Sequence, residues 1–187
     1  MTLNELLAPT YIQMLQALAA WLRKAQQEKP GAAAEALLTA RLAPDMFPLS
    51  TQVRFACVQA QEGMCRLMNR EFPASLQALL DEGRNAGERP GSIAVALERI
   101  DEKVRWVTSL ASDPADANEL RPIAHALPAG MIFDLTAAQF ARDWALPQFY
   151  FHVMAAYAIL RSEGIGLGKA DYVAHMLGFL RQDTAPQ

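Results

Sequence analysis

Ser92-Ile93-Ala94-Val95-Ala96-Leu97-Glu98-Arg99-Ile100-Asp101-Glu102-Lys103-Val104-Arg105-Trp106-Val107 is the stretch on which the fold turns. Its apolar residues Ile93, Leu97, Ile100, Val104 and Val107 recur at intervals of 4, 3, 4 and 3. That spacing draws one stripe down a 3.6-residue helix and is the interval by which helices pack in a bundle. Ser92 offers a hydroxyl to cap the first turn, and Asp113-Pro114 stops the run. Glu98, Arg99, Asp101, Glu102, Lys103 and Arg105 are mixed in sign and read as a solvated face.

Upstream the periodicity appears twice more. Over residues 3–29, Leu7, Tyr11, Met14, Leu15, Leu18 and Leu22 share a face. Pro9 predicts a kink there, or a regular helix that starts near it, and Lys29-Pro30-Gly31 ends the run. Residues 32–40 are alanine-rich and predict a short helix. Residues 41–49 hold two prolines four apart, which predicts an extended apolar connection. Pro48 is well placed as the first residue of the next helix. That helix runs from residue 49 to about 69, with Leu49, Val53, Ala56, Ala60, Met64 and Leu67 as its stripe. Residues 75–85 predict a shorter helix and residues 87–91 a loop.

Downstream the period changes to two. Ile123, His125 and Leu127 alternate with alanines, Pro128-Ala129-Gly130 supplies a turn, and Met131, Phe133 and Leu135 alternate again. This predicts a short β-hairpin. Thr136-x-x-Gln139 is a capping box that opens the last long helix. A kink or break is expected at Pro147, with the helix continuing through Arg161 to Gly164. Residues 164–168 predict a loop, and residues 169–180 a final short helix. The expected architecture is an all-α four-helix bundle with one irregular crossover and a hairpin before the last long helix. It spans residues 1–181 as one domain, and residues 182–187 fray.

Composition removes several functions. The chain has 187 residues, 52% apolar and 20% charged, with two cysteines. That excludes wholesale disorder and a disulfide scaffold. Seventeen Lys and Arg face twenty Asp and Glu, for a formal charge of -3. There is no basic run, which disfavours nucleic acid as a partner. No apolar stretch is long enough to span a bilayer, and no basic leader precedes an apolar core, so a cytoplasmic, membrane-free protein is expected. Cys57 and Cys65 would lie ~12 Å apart along one helix, beyond the ~7 Å that a disulfide allows. Both read as reduced core residues.

The chemistry-bearing residues are few. Of the three histidines, His125, His152 and His175, only His152 lies on a long predicted helix. A helical metal pair needs a second ligand three or four positions away. Those positions hold Gln148, Phe149, Ala155 and Ala156, so no metal site is expected. Gly164-x-Gly166-x-Gly168-Lys169 follows a helix and lacks the spacing of a phosphate loop. Phe140, Trp144 and Phe151 read as core. Gln148 and His152 share a face, and Tyr150, Tyr157 and Arg161 form a second stripe. Asp45 is placed to pair with His152 or Arg161. Such a network either locks the bundle or lines a small-molecule pocket with an acid/base histidine.

Three motifs carry a resemblance. They are Arg41-Leu42-Ala43-Pro44-Asp45-Met46-Phe47-Pro48-Leu49 with Gln52-Val53; Leu146-Pro147-Gln148-Phe149-Tyr150-Phe151-His152-Val153 with Ala156-Tyr157-Ala158-Ile159-Leu160-Arg161; and Leu167-Gly168-Lys169-Ala170-Asp171-Tyr172. Together they resemble a bacterial family of unknown function in the DinB/YfiT-like superfamily. The resemblance implies an up-down-down-up four-helix bundle, commonly a homodimer. Better-known members bind a divalent metal through one His on the second helix and an H-x-x-x-H pair on the last. Some are thiol-dependent transferases, isomerases or hydrolases. Residues 49–69 hold no His, and Ala156 stands where the second His of the pair would be. The expectation is therefore a bundle with no metal or cofactor that dimerises and binds a small molecule or a partner. Its candidate pocket is Asp45, Gln52, His152, Tyr157 and Arg161. The alternative is a metal- or thiol-dependent transferase or hydrolase using His152.

Overall fold

The computed structural model describes residues 2–110 and 118–181. The stop expected at Asp113-Pro114 and the fraying expected of residues 182–187 lie outside the described residues. The chain begins with α1 (Leu3–Glu28), then α2 (Ala32–Ala36) running into a 3-10 turn (Leu37–Thr39). Next come α3 (Leu49–Leu67), α4 (Ala74–Asn85) and α5 (Ile93–Leu110). Strands β1 (Pro122–Ala126) and β2 (Ile132–Thr136) follow, then α6 (Ala137–Gln139) and a π-helical stretch (Phe140–Ala145). The last elements are α7 (Leu146–Ser162), α8 (Lys169–Tyr172) and a 3-10 stretch (Ala174–Phe179). The predicted all-α bundle with one hairpin is the observed architecture. Among the described residues no helix is long and apolar enough to cross a membrane.

α3 is the central rod. It packs against α1, α4, α5 and α7, so Ser50, Thr51, Gln52, Arg54 and Gln61 are buried along with its apolar stripe. Buried polar groups need partners. Ser50 Oγ donates to the Ala86 carbonyl at 3.0 Å and Thr51 Oγ1 to the Gly83 carbonyl at 2.9 Å. A Cβ on Gly83 would stand 2.6 Å from the Phe55 ring, so α4 approaches this closely only through glycine. Arg54 Nε meets Glu82 Oε1 at 2.8 Å, and its other nitrogens reach the Ser50 and Pro90 carbonyls at 3.0 Å each. Glu82 also takes Arg99 of α5 at 3.0 Å. Desolvation, the strongest single influence on the Glu82 carboxyl, acts to raise its pKa; the hydrogen bonds from Arg54 and Arg99 outweigh it and hold the group below its ordinary value.

Several local expectations are corrected. α1 runs through Pro9 rather than starting near it, because Thr2 and Glu5 form a capping box at its head. Residues 41–48 are not extended: Leu49 N–H reaches the Ala40 carbonyl at 2.9 Å, closing the connection on itself. Pro48 is the N-cap of α3, one place before the first helical residue. The interior side of α5 is Ile93, Ala96, Ile100, Lys103, Val107 and Leu110. α5 packs on both α1 and α3, so its covered arc is wider than the 4-3-4-3 stripe. Lys103 falls inside that arc, only 2% exposed, with its Nζ on Glu102 at 2.9 Å. The solvated-face reading fails for that residue.

The hairpin pairs Pro122 with Thr136 through Ala126 with Ile132. Gly130, at φ +83°, takes the left-handed conformation that the turn requires. Thr136 and Gln139 form the predicted capping box. The expected kink or break at Pro147 is resolved differently. The helix widens first, with Leu146 N–H bonding back to the Ala141 carbonyl five residues earlier. A proline that cannot donate then sits in the first turn of α7. Gly164, at φ +84°, ends α7, and Ile165 N–H returns to the Leu160 carbonyl at 3.0 Å.

Candidate functional site

The five-residue pocket read from the sequence divides in the structure. Gln52 of α3 and His152 of α7 do meet, with Gln52 Oε1 2.8 Å from His152 Nδ1. Gln52 Nε2 donates to the Phe47 carbonyl at 3.2 Å. That orients the amide with its oxygen toward the imidazole, so Nδ1 carries the hydrogen. Phe55 and Phe151 stand edge-on to the imidazole at 5.3 Å each. Burial pushes the His152 pKa down to about 4, so the ring is neutral at pH 7.

Asp45, Tyr157 and Arg161 lie elsewhere. Asp45 is exposed on the closed loop ahead of α3, and among the described residues it pairs with neither His152 nor Arg161. Arg161 sits ~13 Å further along α7, where its Nη1 donates to the Leu167 carbonyl. Tyr157 packs edge-on against Trp21 at 5.2 Å and Tyr172 at 6.2 Å. Lys24 binds the Gly166 carbonyl at 2.7 Å and Asp171 at 3.1 Å in the same region. Tyr157 and Arg161 therefore belong to the seam that fastens α8 to the bundle. Phe151 is 57% exposed, so it is not core.

A second constellation lies under the hairpin. A cavity of about 380 Å³ opens between β1, α3 and α4. Val58, Leu76, Leu80, Leu127 and Trp144 supply apolar wall, and Glu62, Arg66 and His125 supply polar groups. His125 is 3% exposed, and among the described residues neither of its ring nitrogens has a hydrogen-bond partner. Glu62 Oε1 is 3.8 Å from Nδ1, too far for a hydrogen bond, and is held by Arg66 Nε at 2.8 Å. The imidazole leans on Trp144 at 4.4 Å and Phe140 at 5.5 Å. Burial lowers its pKa, the Arg66 charge lowers it further, and Glu62 opposes both. The neutral ring thus keeps one donor and one acceptor without a mate, and an orphaned buried polar group costs about 1–3 kcal/mol.

The sequence-based pocket contains neither His125, Glu62 nor Arg66, and Trp144 reads there as core. One signal was available: the period-two alternation places His125 on the same strand face as Ile123, and that face is the buried one. Glu62 and Arg66 carry no such mark, since their convergence depends on where the hairpin folds back over α3.

The family described as a domain of unknown function (DUF1993) matches residues 3–173. The chain belongs to this family. Among solved structures, the DUF1993 chain is similar to the crystal structure of a DinB family member protein from Shewanella denitrificans. That similarity has 29% identity, covers 98% of this chain and 96% of that one, and has a TM-score of 0.60. No curated protein matches. The resemblance to DinB-like bundles brings with it the question of a metal. At the place concerned, Gln52 Oε1 is engaged with the one imidazole and Ala156 stands one turn on. Among the described residues no three His, Cys, Asp or Glu side chains gather. The residues of the DUF1993 chain do not fit a metal there. Burial pushes the Cys57 thiol up to about 12, against the thiolate that nucleophilic chemistry needs.

Proposed function

We propose that this DUF1993 protein binds a small molecule in the cavity between β1, α3 and α4 and works as a homodimer. His125 carries the first part. Folded interiors leave few buried polar atoms unpaired. Here both nitrogens of one imidazole are unpaired, in the wall of a largely apolar cavity of ligand size. A ligand that offers the ring an acceptor or a donor removes that cost. The Gln52–His152 pair is mutually satisfied and reads as a lock between α3 and α7.

The dimer is supported by a run of apolar surface beside that lock. Phe47, Phe151 and Met154 are 50%, 57% and 41% exposed. Phe47 is joined to Phe55 at 5.4 Å, and Phe55 to His152 at 5.3 Å. Contiguous exposed apolar surface of this kind marks interaction sites.

The ligand site is tested with N-phenyl-1-naphthylamine, whose fluorescence rises in apolar surroundings. The expected result is saturable binding to the wild-type chain that Gln77→Trp abolishes. Gln77 is exposed at the cavity rim on α4, and an indole there occupies the opening without disturbing the core. Absent binding, or binding that Gln77→Trp leaves intact, overturns the proposal.

A further inference from the structure

The charges around the cavity between β1, α3 and α4 are already matched. Among the described residues, its charged lining groups are Glu62, Arg66 and Arg84. Arg66 Nε is on Glu62 Oε1 at 2.8 Å, and its guanidinium lies over the Phe72 ring at 4.9 Å and the Phe140 ring at 5.8 Å. Arg84 pairs with Asp81 at 3.4 Å on the exposed side of α4. An ionic ligand has either to break one of these pairs or to enter without a counter-charge. Both are costlier than burying a neutral molecule of the same size.

His125 sets what a neutral ligand must offer. Glu62 Oε1 stands 3.8 Å from its Nδ1. That is too long for a hydrogen bond, but the carboxylate still attracts an N–H and repels a lone pair. The hydrogen therefore belongs on Nδ1. Nε2 is left as an acceptor, and among the described residues no donor reaches it.

We infer that the ligand is an uncharged alcohol or phenol with an apolar body. Its O–H donates to His125 Nε2, and its body seats against Val58, Leu76, Leu80 and Leu127. This rests on the reading of the cavity as a ligand site. An ether of the same shape can only accept, and a hydrocarbon leaves Nε2 orphaned.

The test displaces bound N-phenyl-1-naphthylamine from the full chain at pH 7 with naphthalene, 2-naphthol, 2-methoxynaphthalene and 2-naphthoate. The naphthol is expected to compete about tenfold better than each of the others, the worth of roughly one buried hydrogen bond. An apolar cavity with no acceptor gives the opposite order, because the hydroxyl is then desolvated without return and naphthalene competes better. His125→Phe keeps a ring and removes the acceptor. It should abolish the advantage of the naphthol and leave naphthalene unchanged, with helix content as the check on folding; the wild-type series decides by itself if that variant does not fold. Equal competition by naphthol and its ether, better competition by naphthalene or naphthoate, or an advantage that survives in folded His125→Phe overturns the alcohol inference while leaving the cavity reading in place. Failure of N-phenyl-1-naphthylamine to bind, or binding that survives Gln77→Trp, overturns the cavity reading and this inference together.

Discussion

His152 and Tyr11 show what burial does to single polar groups here. The His152 imidazole titrates near the ordinary histidine value of 6.5 when unfolded and at about 4 when folded. Its folded pKa is depressed, so the unfolded chain takes up the proton first as pH falls. Stability is therefore full above pH 6.5 and declines as pH falls toward 4, by on the order of 3 kcal/mol from this group. His152→Gln keeps a donor for Gln52 and removes the titration. Denaturant midpoints of wild type and variant should diverge across that window, and parallel curves would refute the assignment. Tyr11 poses a steric case. Among the described residues its buried hydroxyl has no partner, and a Cβ on Gly63 would clash with it. Alanine usually favours a helix over glycine by about 1 kcal/mol, but overpacking costs about 1–3 kcal/mol. Gly63→Ala should lower the thermal midpoint, and adding Tyr11→Phe should restore most of it. A Gly63→Ala variant more stable than wild type contradicts this packing.

At the scale of elements, α3 is the piece on which the others are hung. Its apolar stripe was legible, because a period of 3.6 survives in any sequence that buries one helical face. Burial of its other faces was not, because Ser50, Thr51 and Arg54 look like surface residues until their partners on α4 and the following loop are known. Arg54→Ala should cost about 3–5 kcal/mol in denaturant unfolding, the range for removing one partner of a buried pair. Arg54→Met, which keeps volume while Glu82 retains Arg99, should cost less. Equal losses would mean that the charge network, and not packing volume, joins α3 to α4. The hairpin and the Thr136–Gln139 capping box were equally legible, since each is written in a few consecutive residues. The widened turn before Pro147 was not: the proline announces a disturbance, but a kink, a break and a π-helical turn all satisfy its missing donor.

For the whole molecule, the proposed homodimer predicts a solution mass near twice 20.6 kDa. Phe151→Lys, on an exposed side chain, should return it to one copy without loss of helix content. Light scattering decides this, and a monomeric wild type removes the dimer. The candidate site divides at this scale as well. Gln52 and His152 lie on the long elements α3 and α7, and the structure joins them. Asp45, Tyr157 and Arg161 are polar residues near the same segments, and the structure scatters them, because a closed loop and nine residues of helix separate them from His152. By itself the sequence determined where helices and strands form, which of their faces are apolar, and that His152 has no second imidazole or carboxylate a helical turn away. These depend on periodicity and on neighbours within a turn. Only the tertiary structure decided that the hairpin lies over α3, which buries His125 with no partner among the described residues and sets Glu62 and Arg66 beside it. Such contacts join residues more than fifty positions apart, and no local preference records which distant surface a buried strand face will meet.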